Sequence, residues 1–197
     1  FYYKPRVDKE LLSAHSGGLI ALSACLSGEV SVHIARGQAE AAERAAAEYR
    51  DIFGPASFFL EVQANGIREQ ERVNREMTAM GARMGIPLVA TNDVHYLRRE
   101  DARAHDVLLC IQTGASVDDP GRMRFPTDQF YLKSSDEMYR EFSEMPEVCA
   151  ETVRIAERCN VELDFGTLHI PEFAPPGGES LDSYLRRVCM EGAARRF

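Results

Sequence analysis

Three times in the first 114 residues a short apolar run gives way to a longer stretch with helical spacing, and that rhythm limits the possible folds most sharply. The runs are GLIALSA (18–24), SFFLEV (57–62) and IPLVAT (86–91). After a loop, the first is followed by QAEAAERAAAEYRDIFG (38–54), where Ala42, Ala46, Tyr49 and Phe53 recur at helical spacing and Gly54-Pro55 stops the helix. The second leads into a helix carrying Val73, Met77, Met80 and Met84, closed by Gly85. A methionine stripe at that spacing reads as core packing rather than a cofactor box. The third leads into EDARAHDVLLCIQTG (100–114), with Ala104, Leu108 and Ile111 on one face and Gly114 as the stop. Strands alternating with helices of this length form parallel βαβ units. Nearly continuous apolar strands suit a sheet covered on both faces or a closed barrel, and a barrel fragment is the preferred reading.

Beyond Gly114 the pattern changes. ASVDDPGRMRFPTDQ (115–129) is a polar loop with two prolines. FYLKSSDEMYREF reads as a short strand, then a helix opened by a capping box of Ser134 with Glu137. PEVCAETVRIAERCN (146–160) is a helix with Val148, Thr152, Ile155 and Cys159 on one face. GTLHIPEFAPPGGES (166–180), rich in Pro and Gly, marks a domain boundary, and a last helix begins near Leu181.

At 197 residues the chain can bury one domain, or one domain and part of another. It opens on Phe1 without a methionine and closes on EGAARRF inside a helix-like stretch, so it reads as a piece of something longer. No window approaches the run of roughly 18 apolar residues that a membrane helix needs, and no signal peptide opens the chain. The net charge of −8 argues against an overall polyanion-binding surface. Nucleic acid would have to use local clusters such as Arg98, Arg99 and Arg103, which taken alone read as a solvated helix start. The five cysteines (25, 110, 149, 159 and 189) form no C-x-x-C pair and are odd in number, as expected of reduced cytosolic thiols and not of a disulfide framework or zinc finger.

In barrels and open parallel sheets, functional groups gather at the carboxyl ends of the strands. That rule selects Cys25 and Glu29 after the first strand, Glu61, Gln63 and Asn65 at the second, and Asp93 and His95 after the third. Residues i and i+2 of an extended segment point the same way, so the D-x-H pair can reach one ion together. Carboxylate, imidazole and thiolate all bind zinc, and an open position in such a set can activate water. The competing readings are a turn or cap role for Asp93 and a packed thiol for Cys25. His105 lies beside the apolar stripe of its helix and reads as structural, while His15, His33 and His169 have no polar cluster around them in sequence. A Cys–His nucleophile would lack both an oxyanion hole and an orienting third group.

The stretches LIALSACLSGEV, FFLEVQANG, PLVATNDVHYLRREDARAHDVLLCIQTG, DDPGRMRFPTDQFYLKSSDEM and TVRIAERCNVEL, with a FYYKPRVD opening, together resemble one family. It is that of the bacterial DNA polymerase III alpha subunits, the C-family replicative polymerases. The similar region is the second half of their amino-terminal PHP (polymerase and histidinol phosphatase) domain. SYLRRVCMEGAARRF is similar to the segment leading into the polymerase palm. The resemblance implies an α/β fold, a fragment of a distorted (βα)7 PHP barrel, with residues 1–165 in the PHP domain. Residues 166–180 are then a linker and 181–197 the start of the polymerase domain. It further implies a multi-metal site whose ligands, by position, include Cys25, Asp93 and His95, with an H-x-H pair and other ligands upstream of this chain. Where many relatives have His-Gly after the second strand, this chain reads Ala64-Asn65-Gly66, which puts only local loop contacts in doubt.

The function implied is DNA-directed DNA polymerization, with its catalytic carboxylates and magnesium downstream of this chain. The PHP site would hold zinc, manganese or magnesium and act as a 3′–5′ exonuclease. The rival reading is a scaffold that braces the polymerase and docks a separate proofreading subunit, and a third is a stand-alone PHP phosphatase, against which the tail after Ser180 counts. Expected partners are DNA template-primer, sliding clamp, clamp loader and proofreading subunit, without a membrane, in the cytoplasm.

Overall fold

The computed structural model describes residues 6–168 and 170–197, so the FYYKP opening and His169 lie outside the described residues. The chain divides into two compact units, Phe1–Cys159 and Asn160–Phe197. In the first, β1 (Ala21–Leu22), β2 (Phe58–Gln63) and β3 (Leu88–Thr91) form a parallel sheet in chain order. Ala21 stands opposite Phe58, Leu60 opposite Leu88, and Gln63 opposite Thr91. Helices α1 (Lys9–Ala14), α2 (Glu29–Ala35), α3 (Ala39–Phe53), α4 (Arg68–Met84), α5 (Ala102–Thr113), α6 (Ser135–Glu141) and α7 (Glu147–Arg158) complete it. The architecture is α/β, one arc of a βα barrel.

The core follows from strand alternation. Phe58, Leu60 and Val62, at every second position, are buried in one cluster with Ala90 of β3. Against them pack Val73, Met77 and Met80 of α4, the alanines of α3, Val30 and Ile34 of α2, and Val148 with Cys149 of α7. Each large apolar side chain so buried contributes about 1.5–3 kcal/mol. The methionine stripe is therefore core, as its spacing indicates. Gly81 lets α4 approach closely, since a Cβ there would lie 2.7 Å from Leu88 Cδ1 and 2.9 Å from the Ile86 carbonyl. Gly85 ends the helix in the left-handed region, at φ 64°.

Several elements differ from the sequence reading. The first apolar run supplies two strand residues instead of seven, and the loop after it contains α2. Val30, Val32 and Ile34 are β-branched, and a seven-residue helix shows too few turns for periodicity to stand out. FYLK forms one isolated parallel bridge, Tyr96 to Tyr131, and no strand. In α5 the buried residues are Leu109 and Cys110, while Leu108 and Ile111 of the expected inner face are exposed. In α7 Val148 is buried and Ile155 half-buried, but Thr152 and Cys159 face solvent.

The second unit holds a short 3-10 turn (Pro176–Gly178) and α8 (Leu181–Arg196). Ser180 caps α8 by accepting from the Ser183 N–H, and Arg187 pairs with both Glu179 and Glu191.

Candidate functional site

The residues selected from sequence meet different fates: Glu61 and Gln63 belong to the last half of β2, Cys25, Asn65, Asp93 and His95 follow their strands, and Glu29 opens α2. After β1 the chain turns tightly, with the Gly28 N–H donating to the Cys25 carbonyl at 2.9 Å. Cys25 is half-buried in that turn, and Ala24 beside it has φ 64°. Glu29 is engaged away from the rim, where Lys9 donates to it at 2.9 Å and Tyr49 at 2.8 Å. The Lys9 contact leads in holding its carboxyl below the usual range, against the opposing effect of burial.

At the end of β2, Glu61 and Gln63 lie on the same side of the strand. Glu61 Oε1 accepts from Gln63 Nε2 at 3.0 Å and from the Thr91 hydroxyl across the sheet. Gln63, thus oriented with its amide donating, keeps a buried Oε1 that no described group satisfies. The same holds for Asn65 Oδ1 and Asn92 Oδ1.

After β3, Asp93 Oδ1 stands 3.5 Å from His95 Nε2, with both side chains about one-third exposed (32% and 37%). The pair does meet, though not by the alternation of an extended strand. Asp93 sits in the left-handed region at φ 48°, so a backbone reversal brings the two together. Asp93 and Ala24 are the two non-glycine residues with positive φ among the described residues. Such a conformation costs on the order of 1–3 kcal/mol and persists where surrounding structure enforces it.

What enforces it is the segment 127–133, which is stitched across the ends of β2 and β3. Thr127 donates to the Asn65 carbonyl at 2.6 Å and Lys133 to the Ala64 carbonyl at 2.6 Å. Asn92 Nδ2 donates to the carbonyls of Gln129 and Tyr131, both at 2.8 Å. The His95 N–H donates to the Phe130 carbonyl at 2.8 Å, and the imidazole packs edge-on against Phe125 with centroids 4.6 Å apart. His105 comes within 5.6 Å of His95, ring to ring. Burial lowers the His105 pKa, and the neighbouring His95 lowers it further. Nothing in the sequence marks Asn92, Thr127, Lys133 or Phe125 for these roles, because each depends on a contact between distant parts of the chain.

Among the described residues no three of His, Cys, Asp and Glu converge as one ligand set, so Cys25 does not join Asp93 and His95 in a three-toothed grip. β2 separates β1 from β3, which puts their ends roughly 10 Å apart at the usual strand spacing. The residues nonetheless fit a cation. Asp93 and His95 offer an oxygen and a nitrogen to one point, and the buried amide oxygens at the strand ends have acceptors to spare and no donors.

Residues 1–65 match the PHP domain family. Along its whole length the chain is 44% identical to the DNA polymerase III subunit alpha of Treponema pallidum, 43% to that of Thermus aquaticus and 41% to that of Deinococcus radiodurans. These matches cover 17%, 17% and 15% of the respective relatives, so the chain spans about one sixth of the curated proteins it matches. The resemblance read from its motifs therefore holds from end to end.

Proposed function

We propose that this chain belongs to a DNA-directed DNA polymerase of the DNA polymerase III alpha kind. Residues 1–165 would be the later part of its PHP domain, 166–180 a linker, and 181–197 the start of the polymerase region. The observation that carries this reading is end-to-end identity of 37–44% to proteins of that name. Magnesium-dependent nucleotidyl transfer would take place outside this chain. DNA template-primer, sliding clamp, clamp loader and proofreading subunit are the partners that follow from it, and a place in the cytoplasm belongs to the same reading. No described helix is long and apolar enough to cross a membrane.

For the PHP region we propose a metal-dependent phosphoesterase that removes nucleotides from DNA 3′ ends. Supporting it, the two strained non-glycine residues lie at the turns that present Cys25, Asp93 and His95. Asp93 and His95 would hold one divalent ion (zinc, manganese or magnesium), and Cys25 would hold a second with ligands from elsewhere. Divalent ions so held supply Lewis-acid polarisation of a phosphodiester and lower the pKa of a water. The protein's part is to fix the donors: the Phe130 carbonyl holds the backbone of His95, and Phe125 sets the plane of its ring. Asp93 Oδ1, 3.5 Å from His95 Nε2, would share the ion with that nitrogen.

The scaffold reading is favoured by one observation, that the described residues assemble no three-ligand group. The two readings separate on the full-length protein bearing Asp93→Ala and His95→Ala. Loss of mismatched 3′-end removal and of bound metal, with polymerization retained, supports the phosphoesterase. Unchanged end removal together with a lowered Tm supports the scaffold.

A further inference from the structure

A cleft of about 380 Å³ opens between the start of α5 and the loop before Phe130, and two of its rings, His105 and Phe125, border His95. Its lining combines aromatic rings with uncancelled positive charge. Tyr96 and His105 lie 5.3 Å apart between centroids, and His105 and Phe125 lie 4.9 Å apart. The same two rings, His105 and Phe125, touch His95. Cleft and metal pair therefore share a wall.

The charges on the lining do not balance. Arg122 is bound in a two-pronged pair with Asp106, and Asp128 in a two-pronged pair with Arg99. That leaves Arg103 and Arg124, both exposed and neither in a described hydrogen bond or ion pair. In a chain of net charge −8, two exposed guanidinium groups outside any described hydrogen-bonded pair, Arg124 with Asp106 in its field, line one aromatic-walled cleft. Rings stack on bases of any sequence, and arginines bind phosphate oxygens in forked geometry. A volume of 380 Å³ lies near the lower end of ligand pockets and is too small for a duplex.

We propose that this cleft receives the terminal nucleotide of a single DNA strand, its base against Tyr96 and Phe125 and its phosphate on Arg103 and Arg124. The proposal rests on the phosphoesterase reading and says where that reaction's substrate lies. That phosphate is itself the strand's last linkage, so a strand seated there sets the bond to be cut on the side of the cleft where His105 and Phe125 border His95. It also explains how an acidic chain can hold a polyanion at one place.

The test uses the full-length protein and a single-stranded oligonucleotide carrying 5-iodouracil at its 3′ terminus, photo-crosslinked in EDTA so that binding is read without cleavage. Crosslinked peptides are identified by mass spectrometry. The proposal expects crosslinks at Tyr96 or Phe125, half-saturating at strand concentrations on the order of tenfold higher in Arg103→Ala/Arg124→Ala. The lysine double variant should recover part of that loss. The salt dependence of crosslinking should weaken by about 0.7 in slope for each phosphate contact removed. No crosslink in the cleft, or one unmoved by the double alanine variant, overturns the proposal. Equal competition by a deoxynucleoside monophosphate overturns the choice of a strand. The two readings fail separately: a crosslinked strand that divalent ions never shorten sinks only the phosphoesterase, whereas efficient shortening without cleft crosslinks sinks only the cleft.

Discussion

Lys133 donates its ammonium group at 2.6 Å to the carbonyl of Ala64, 69 positions earlier in the chain. The contact ties the segment after α5 to the end of β2. Glu141 lies 3.7 Å from the ammonium, and the lysine side chain is almost wholly buried. Burial pulls its pKa below the ordinary value, against the opposing pull of Glu141. Lys133→Met keeps the apolar stem and removes a costly buried charge, but strands the Ala64 carbonyl. We expect a loss of about 1–2 kcal/mol in unfolding free energy. Lys133→Ala should lose more, because it leaves a cavity as well. Urea unfolding of parent and variants checks the order, and equal stability of all three would refute the tether.

Glu137 sets an acid limit on the same region. Its carboxylate accepts from the Tyr131 hydroxyl at 2.7 Å and from the Ser134 N–H and hydroxyl, both at 2.8 Å, closing the capping box of α6. Led by the Tyr131 contact, these bonds lower its pKa to about 2. A carboxyl with a depressed folded-state pKa binds fewer protons folded than unfolded, so stability falls as pH falls. The contribution is complete above the ordinary value of 4.5 and disappears as pH drops from there through about 2. Glu137→Gln should melt lower than the parent at pH 7, with the gap shrinking toward pH 2.5. A gap that is constant across that range would exclude the linkage.

The sequence exposes the repeating strand–helix units because their signals are local. Met77 and Met80 recur on one face of α4, Gly85 adopts the left-handed stop its position suggests, and the Ser134–Glu137 capping box forms as spaced. Asp93 and His95 are visible for the same reason, being two residues apart. Hidden features depend on distance along the chain. Asn92 fastens to Gln129 and Tyr131, and no spacing rule links positions 37 and 39 residues apart. The face of α5 is misread because Leu108 and Ile111 are apolar yet exposed, and apolarity alone does not say which side of a helix meets the core. The backbone reversal at Asp93 leaves no mark either, although aspartate is among the few non-glycine residues that tolerate it.

Asn92 offers a sharper test of the rim than its size suggests. Its amide nitrogen serves two carbonyls at once, and the residue is 5% exposed. Asn92→Ala strands both acceptors and should cost about 1–3 kcal/mol. Asn92→Asp is nearly isosteric but sets a carboxylate against two carbonyl oxygens, so at pH 7 it should be the less stable of the two. As pH falls to 4, protonation of this buried carboxylate, eased by the facing carbonyl oxygens, restores one donor and should recover part of the loss. Stability measured for the three proteins at pH 7 and pH 4 decides it. An aspartate variant as stable as the parent at pH 7 would mean that these bonds do not hold the segment.

The turn that presents Cys25 gives opposite expectations for two neighbouring substitutions. A Cβ added at Gly28 would lie 2.2 Å from the Ser23 carbonyl oxygen and 3.2 Å from that of Cys25. Both obstacles are backbone, so the turn has to open. Gly28→Ala should destabilise by about 1–3 kcal/mol and displace the thiol. Ala24, at φ 64°, already occupies a conformation that costs an L residue roughly 1–2 kcal/mol. Ala24→Gly removes that cost and loses about 0.4–1 kcal/mol through a freer unfolded chain, leaving stability level or slightly raised. Ala24→Val should destabilise, since a β-branched residue tolerates positive φ poorly. Urea unfolding ranks the variants, and peptide-resolved alkylation follows the Cys25 thiol. Alkylation at Cys25 should quicken in Gly28→Ala and stay at the parent rate in Ala24→Gly. If Gly28→Ala left both quantities unchanged, the close approach to Ser23 would not be what shapes the turn.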